Sequence, residues 1–289
     1  MTDAKRPFFK KTAIIGVGLI GGSLAMVMRE KGISGTITGI GRGPENLKTA
    51  LKMGLVDEVT TDLTEGVRGA DLVIAAVPVQ KISEVIKKAL PALTPPCIIT
   101  DVGSVKKAVI DAVEPLLTDG IDYVPAHPVA GTEESGASAA FAELFEQRLC
   151  IVTPTGKTSP AALSTVKALW REAGSKVVQM EPSAHDRVFS AVSHLPHVVA
   201  YTLVNTVAGG DGRELLKFSA GGFRDFTRIA SSSPEMWTDI CAMNRDFLLE
   251  MIDKFQFNLD RLKKLIKDGD LGGVREEFEK AKTIRDSIL

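Results

Sequence analysis

The sequence predicts an α/β fold in which a doubly wound parallel sheet, residues 1–180, precedes an all-helical domain, residues 181–289. Three observations lead to this prediction. In the first part, short apolar runs alternate with helical stretches, as is typical of strands buried on both faces of a parallel sheet. A glycine-rich turn follows the first run. After about residue 159, strand patterns become rare and apolar residues recur at helical spacing.

The predicted strands are short apolar runs that end at glycine, proline or polar residues. They cover residues 12–16, 36–40, 71–77, 97–101, 123–126, 150–153 and 176–180. Because helical stretches separate most of them, we expect right-handed crossover connections and a parallel sheet.

Two serines that each precede a proline, Ser159 and Ser233, predict helix starts, because serine caps a helix and proline suits its first position. An amphipathic segment follows the glycine-rich turn as far as Lys31, and residues 244–267 carry apolar side chains three and four apart. Helices this apolar, away from the sheet, must bury their faces against each other or a second subunit. We therefore expect a homodimer formed through the C-terminal helices.

Composition argues against several classes of protein. The chain has 289 residues, of which 44% are hydrophobic and 25% charged, and its net charge is −1. That balance provides no basic patch for nucleic acid or a membrane surface, and no apolar run approaches the roughly 20 residues of a membrane span. The first residues lack the apolar core of a signal peptide. Three widely spaced cysteines, Cys97, Cys150 and Cys241, predict buried thiols in a reducing cytoplasm.

The glycine-rich turn matches the pattern G-x-G-x-x-G between a predicted strand and a predicted helix. Its residues are Gly16, Val17, Gly18, Leu19, Ile20 and Gly21. In Rossmann-type domains such a turn lets backbone approach a pyrophosphate, whose charge the helix N-terminus stabilises. We expect these residues, and Val77 at the end of another strand, to bind a dinucleotide. A methyltransferase glycine loop and a purely structural turn are the alternatives.

The end of the second strand bears on which dinucleotide is bound. An NAD-binding chain usually has an acidic residue there to hold the ribose hydroxyls, whereas this chain has Gly41 followed by Arg42. Without the carboxylate a 2′-phosphate is not repelled, and the guanidinium offers it a charge-assisted contact. The pattern therefore favours NADP. In the alternative, NAD is bound, Arg42 is a surface residue and Glu45 supplies the acid.

His127 and Ser104 are the candidates for chemistry in the first part. His127 precedes a proline, which favours extended backbone, and follows a late strand at the edge that faces the ligand crevice. Histidine suits proton abstraction near neutral pH. Ser104 also follows a strand; it is the N-cap of the next helix, a crevice residue, or both.

The second part holds two further polar clusters. His194 and His197 are three residues apart, on one helical face if the helix continues past Pro196. A third ligand is lacking, so we expect no metal site; His197 would face a substrate and His194 would be structural. In the other cluster, Asp225 would orient Arg228 and Arg228 would bind a substrate carboxylate. A surface charge cluster is the alternative.

With the motifs GVGLIGGS, AAVP, DVGSVK, HPVAGTEESG, SHLPH and GGFRDFTRIA in this order, the chain resembles the prephenate/arogenate dehydrogenases of tyrosine biosynthesis. The likeness runs from about Lys11 into the C-terminal helices, and HPVAGTE and SHLPH are specific to that family. It implies an oxidative decarboxylation of a small-molecule substrate. Hydride leaves the ring carbon that bears the hydroxyl and passes to the nicotinamide, and the ring carboxylate leaves as carbon dioxide.

The resemblance also implies residue roles. His127 would be the base that takes the hydroxyl proton, with Ser104 supporting that contact, and Arg228 the carboxylate-binding arginine. His197 matches a substrate contact in enzymes that take prephenate, and Glu133 a residue near the pocket entrance. Gly41 departs from the acidic residue of the NAD-using members of the family, which again favours NADP.

Prephenate is the expected substrate. Arogenate stays open as the alternative, because no residue in the sequence distinguishes the keto group of prephenate from the amino group of arogenate. Another two-domain dehydrogenase, such as a 3-hydroxyacid dehydrogenase, would use a lysine on a C-terminal helix and would not need His127. A different class is a non-catalytic NADP-binding sensor module. It predicts tight cofactor binding without turnover and leaves HPVAGTE and SHLPH unexplained.

Overall fold

The computed structural model describes residues 8–132, 134–209 and 213–288. Its centre is one sheet with the strand order β3-β2-β1-β4-β5-β6-β7-β8. The strands are β1 Phe9–Ile15, β2 Ser34–Ile40, β3 Glu58–Thr60, β4 Leu72–Ala75, β5 Cys97–Asp101, β6 Ile121–Pro128, β7 Leu149–Val152 and β8 Lys176–Gln179. Neighbouring strands run parallel except β6 and β7. The predicted α/β fold class is confirmed.

All seven predicted strands are present, and the sheet differs from the prediction in two respects. β3 was not predicted, because its three residues form no apolar run at the sheet edge, where none of them is buried. β7 is antiparallel to β6 and places Ile151 opposite His127. Since β6 extends to Pro128, His127 lies inside the strand rather than beyond its end.

Helices flank the sheet and make up most of the chain after β8. They are α1 Leu19–Glu30, α2 Pro44–Lys52, α3 Leu63–Val67, α4 Ile82–Ala89, α5 Lys107–Val113, α6 Pro160–Glu172, α7 Pro182–Phe189, α8 Leu195–Ala208, α9 Gly221–Thr227, α10 Pro234–Met243, α11 Arg245–Asp268 and α12 Leu271–Asp286. The Ser159 side chain accepts from the amide of Ala162, and Ser233 does the same for Met236. Both predicted helix starts are confirmed.

Apolar side chains alternate across the sheet into two packed layers. On one face, Ile14 of β1 and Ile74 of β4 pack with α1 and α6. On the other face, Ile15 and Val73 of the same strands pack with α4 and α5. Trp237 of α10 joins the second layer. The sheet is therefore covered on both sides, and a helix of the second half packs directly against the first half.

The last two helices leave much apolar surface uncovered. Large hydrophobic side chains there are 40–77% exposed: Phe255, Phe257, Leu259, Ile266, Leu271, Phe278 and Ile284. Among the described helices, none combines the length and the apolar character needed to cross a membrane. Cys97 and Cys150 are buried as expected, whereas Cys241 on α10 is only half-buried, so the prediction of three buried thiols is wrong for that residue.

Candidate active site

A cavity of about 520 Å³ opens at the carboxyl ends of β1, β2 and β4. Strand order reverses there, which is where doubly wound sheets bind ligands. Its walls include six of the residues predicted to bind a dinucleotide: Gly16, Val17, Gly18, Gly41, Arg42 and Val77. The other three, Leu19, Ile20 and Gly21, form the first turn of α1 behind the cavity.

The three motif glycines meet different packing demands. Gly16 has φ +99°, and a Cβ on it would lie 2.2 Å from the carbonyl oxygen of Ala76. A Cβ on Gly21 would lie 2.2 Å from the carbonyl oxygen of Gly16, whereas a Cβ on Gly18 would meet no protein atom within 4 Å. Gly18 thus borders open space before the N-terminus of α1, which has no side-chain cap and no acidic residue in its first turn. That arrangement fits a pyrophosphate.

Charged side chains from the segments that follow β2 and β4 line this cavity. Arg42 is exposed on the wall, as is Lys81, which forms an ion pair with Glu84. Glu45, the alternative ribose ligand, does not line the cavity. Its side chain is 86% exposed in the first turn of α2 and pairs with a lysine one turn along.

Asn46, which the sequence analysis did not single out, ties the glycine turn to the loop after β6. Its Nδ2 donates to the carbonyl oxygen of Val17 at 2.7 Å, and its Oδ1 accepts from the amide of Ala137 at 2.8 Å. Ser23 of α1 accepts from the amide of Phe141 at 3.0 Å in the same loop. The segment that follows His127 is therefore hydrogen-bonded, through Asn46 and Ser23, to the glycine turn and to α1.

A second cavity, of about 790 Å³, lies at the same edge of the sheet beside the ends of β5 and β6. It brings together four predicted site residues: Ser104, His127, His197 and Arg228. β4 and β5 are adjacent strands about 4.8 Å apart, so the two cavities are neighbours. Asp225 is exposed on α9 and is not among the residues that line this cavity. Glu133 lies outside the described residues.

His127 begins a buried chain of three polar side chains. Its Nδ1 lies 2.8 Å from Nε2 of His185, and Nδ1 of His185 lies 2.8 Å from Oδ1 of Asp186. His127 is 8% exposed, His185 is fully buried and Asp186 is 2% exposed. Phe189 packs against both imidazole rings, with centroids 4.6 and 4.5 Å away. The chain runs from the cavity wall to a buried carboxylate.

Asp186 also caps a helix from a distant part of the sequence. Its two carboxylate oxygens accept the amide protons of Lys106 at 2.8 Å and Lys107 at 2.9 Å, where α5 begins. The start of α5 has no side-chain cap from its own loop, so the expectation that Ser104 caps this helix is wrong. Ser104 lies half-buried on the cavity wall, which leaves its role as a crevice residue a prediction.

A fully buried ion pair lies beneath His127. Lys106 pairs with Asp101, and neither side chain has any exposed surface. Lys106 also donates to the carbonyl oxygen of Ala126 at 2.7 Å, and the hydroxyl of Tyr123 donates to Asp101 at 2.8 Å. This network holds the backbone just before His127 and places the charge of Lys106 near its ring.

These surroundings determine the protonation of the imidazoles. Burial lowers the pKa of His127 well below its ordinary value of 6.5, and the neighbouring His185, Lys106 and His194 lower it further. Burial also lowers the pKa of His185, against the opposing effect of its bond to Asp186. Both rings are therefore neutral at pH 7.

His194 ends a π-helical turn, Ser190–His194, which leads directly into α8. The helix continues past Pro196, as it must if His194 and His197 are to share a face. Asn244 donates to Nδ1 of His194 at 3.0 Å and to the carbonyl oxygen of Asp186 at 2.9 Å. Nε2 of His194 is buried and has no hydrogen-bond partner among the described residues. The bond to Asn244 holds the His194 ring in place, and its structural role stays a prediction.

His197 stacks on Trp237 with ring centroids 3.6 Å apart, and its Nδ1 donates to the carbonyl oxygen of Ser193 at 2.9 Å. Both rings line the second cavity. Burial, with a smaller effect from the charge of Arg228, lowers the pKa of His197. The indole Nε1 of Trp237 is buried and has no partner among the described residues.

The sequence analysis missed His185, Asp186, Lys106 and Asn244, and each for the same reason. Their partners lie on other elements; the Asp186 and Lys106 bond, for example, joins residues 80 positions apart. No local motif marks such a contact. For Lys106, the one indication in the sequence is its place at the end of DVGSVK, next to apolar residues. That place indicates a buried charge but not what the charge does.

Comparisons with known proteins show which family this chain belongs to. The family model described as prephenate dehydrogenase, nucleotide-binding domain, matches residues 24–179, and the one described as prephenate dehydrogenase, dimerization domain, matches residues 181–280. A cyclohexadienyl dehydrogenase of Zymomonas mobilis is 38% identical over 280 residues, which cover 96% of this chain and 95% of that protein.

Two solved structures are similar along nearly the whole chain. A prephenate dehydrogenase of Aquifex aeolicus, in complex with hydroxyphenyl propionate and NAD+, is 37% identical with a TM-score of 0.91, covering 97% of this chain and 98% of that one. An arogenate dehydrogenase of Synechocystis is 30% identical with a TM-score of 0.82, covering 96% and 100%. With both domains matched and identity this high over almost the full length, the chain belongs to the prephenate dehydrogenase family.

Proposed function

We propose that this protein catalyses the oxidative decarboxylation of prephenate to 4-hydroxyphenylpyruvate, with a nicotinamide dinucleotide as hydride acceptor, in tyrosine biosynthesis. The observation that carries the proposal is a neutral, buried imidazole, His127, on the wall of one cavity and next to a second cavity built from a dinucleotide-binding glycine turn. A non-catalytic sensor would have no need of a base held in this way.

The first cavity fits the cofactor. The open space at Gly18, together with the uncapped start of α1, suits the pyrophosphate. We propose NADP as the preferred form, because Arg42 lines the wall beyond β2, Gly41 carries no acid there and Glu45 is turned to a neighbouring lysine. When bound, the nicotinamide supplies the acceptor for the hydride.

The residues of this chain supply proton transfer, orientation and shielding. His127 takes the proton of the ring hydroxyl as the hydride leaves the same carbon, and the oxygen becomes a carbonyl. Loss of carbon dioxide from the opposite ring carbon then returns an electron pair to that oxygen, which takes a proton back as the ring becomes aromatic. Ser104 lies on the same wall and supports the contact of His127 with the hydroxyl. No metal enters this scheme, and the described residues contain no cluster of three potential ligands.

Binding of the substrate carboxylate falls to Arg228, one of two arginines that line this cavity, because it also matches the carboxylate-binding arginine of the family; the other is Arg148. His197, which stacks on Trp237, lines the same cavity and matches a substrate contact in members of the family that take prephenate. We therefore propose prephenate as the substrate and arogenate as the second candidate, a pair also represented among the similar structures.

The division of the chain follows the same lines. We propose a dinucleotide-binding domain in residues 1–180 and a helical substrate and dimerisation domain in residues 181–289. The exposed apolar side chains of α11 and α12 and the match to a dimerization domain support a homodimer. The free thiols support a reducing, cytoplasmic setting. Nucleic acid and membrane are not expected partners.

The test is the initial rate of reduced-cofactor formation with each of four pairs: prephenate or arogenate, with NADP or NAD. We expect turnover with prephenate and a higher kcat/KM for NADP. Turnover with arogenate alone would keep the chemistry and overturn the substrate. Cofactor binding without turnover of either substrate would favour the sensor module.

A further inference from the structure

We propose that His185 and Asp186 are positioning residues that hold His127 in the tautomer whose Nδ1 carries the proton, so that the lone pair of Nε2 faces the second cavity. The proposal rests on the role of His127 as base proposed above. It assigns a task to two buried residues that are not among those lining either cavity. The argument depends on which atom of each hydrogen bond can donate.

The direction of donation along the hydrogen bonds from His127 to Asp186 is set at the buried end, by Asp186. Oδ1 of Asp186 accepts from the amide of Lys106, and Oδ2 accepts from the amide of Lys107. Backbone amides only donate, so both carboxyl oxygens of Asp186 act as acceptors. Nδ1 of His185, 2.8 Å from Oδ1 of Asp186, must therefore carry a proton and donate.

The same logic passes along the next bond. A neutral His185 with its proton on Nδ1 has a lone pair on Nε2, and that atom lies 2.8 Å from Nδ1 of His127. Nδ1 of His127 must then be the donor, which leaves Nε2 of His127 unprotonated. Nε2 is the atom that must be bare for His127 to accept a substrate proton from the cavity.

The surroundings keep this arrangement in place. Phe189 packs on both rings, and the backbone of Asp186 is bonded to the Asn244 side chain at 2.9 Å. The carboxylate also lies at the start of α5, whose amides stabilise its negative charge. When His127 takes up a proton and becomes positively charged, its Nδ1 donates to His185, which in turn donates to the carboxylate of Asp186. A base oriented by a carboxylate in this way occurs in other enzymes.

The first measurement needs no substrate, and variants enter only to assign its signals. Nitrogen NMR of the protein with isotope-labelled histidine distinguishes a ring protonated on Nδ1 from one protonated on Nε2. The chain has only 4 histidines, so single substitutions can assign each signal. We expect His127 to carry its proton on Nδ1 at neutral pH. A proton on Nε2 of His127 would overturn the proposal, and this result does not depend on which substrate the enzyme converts.

The second measurement compares His185→Gln with His185→Met, which have nearly the same length and shape. Gln keeps an oxygen that can accept from His127, and Met does not. We expect His185→Met to lower kcat by about 10- to 100-fold, part of the roughly 10²–10⁴-fold that a general base contributes. KM and the cofactor Kd should change little, the Nε2-protonated form of His127 should appear by NMR, and His185→Gln should recover most of kcat.

A merely structural His185 predicts a different result. Both variants would then lose kcat in proportion to their loss of thermal stability, and the tautomer of His127 would be the same in each. Asp186→Asn offers an independent check, because it keeps an oxygen toward His185 but removes the charge. We expect it to lower kcat while leaving His127 protonated on Nδ1.

Discussion

Replacing Lys106 by methionine tests how much of the fold depends on the buried ion pair beneath the site. The substitution keeps the length of the side chain and removes its charge. It leaves the Asp101 carboxylate fully buried with two neutral donors, Tyr123 and the amide of Gly103, each at 2.8 Å, and it leaves the carbonyl oxygen of Ala126 without its donor. Breaking a buried pair in this way costs about 3–5 kcal/mol.

The assay is thermal unfolding at fixed protein concentration, without cofactor. At roughly 2–4 °C per kcal/mol for a chain of this size class, Lys106→Met should lower Tm by about 10 °C. Adding Asp101→Asn removes the stranded charge, so the double variant should be more stable than the sum of the single losses predicts. Lys88→Met, which breaks an exposed pair, is the control and should leave Tm nearly unchanged.

Two outcomes would refute this reasoning. If Lys106→Met costs less than about 1 kcal/mol, the pair behaves like a surface pair and its burial does not govern its energy. If the losses of the two single variants simply add, the charges do not act on each other.

Four further predictions concern the two cavities. His127→Asn should lower kcat by about 10²–10⁴-fold with the cofactor Kd unchanged. In the wild-type enzyme, burial lowers the pKa of His127 and the neutral form is the active one. The value of kcat/KM should therefore fall only as the pH drops through a value below 6.5. Arg42→Ala should raise the Kd for NADP more than that for NAD, and equal losses would contradict the 2′-phosphate contact. Arg228→Ala should chiefly raise KM for the substrate; an unchanged KM would assign Arg228 a structural role. Gly18→Ala should weaken cofactor binding with an unchanged Tm, because its Cβ enters only open space, whereas Gly21→Ala should lower Tm.

Features set by neighbouring residues could be predicted from the sequence. The glycine turn between a strand and a helix, the strand runs on either side of it and the serine caps at Ser159 and Ser233 all depend on backbone conformation and hydrogen bonds within a few residues. For that reason the α/β class and the position of the glycine turn between β1 and α1 could be predicted. The short edge strand β3 was not, because it buries no side chain and so leaves no apolar run.

The site of chemistry was only partly predictable. His127 could be recognised as a candidate from its place at the end of a strand and from the family motif, and His197 and Arg228 from theirs. That these three line one cavity with Ser104 is a consequence of packing the helical part onto the edge of the sheet. Asp225 has a comparable local pattern, yet the fold leaves it outside the lining of that cavity.

The sequence by itself determined the fold class, the glycine turn and the identity of a histidine able to act as a base, because each follows from residue type and short-range spacing. Only the tertiary structure decided which nitrogen of that histidine is free. Its protonation depends on His185, whose Nε2 lies 2.8 Å from Nδ1 of His127 although 58 residues separate the two histidines. Through His185 it also depends on Asp186, which accepts from the other nitrogen of that ring. Burial and hydrogen-bond direction arise from contacts between distant elements, and no local pattern encodes them.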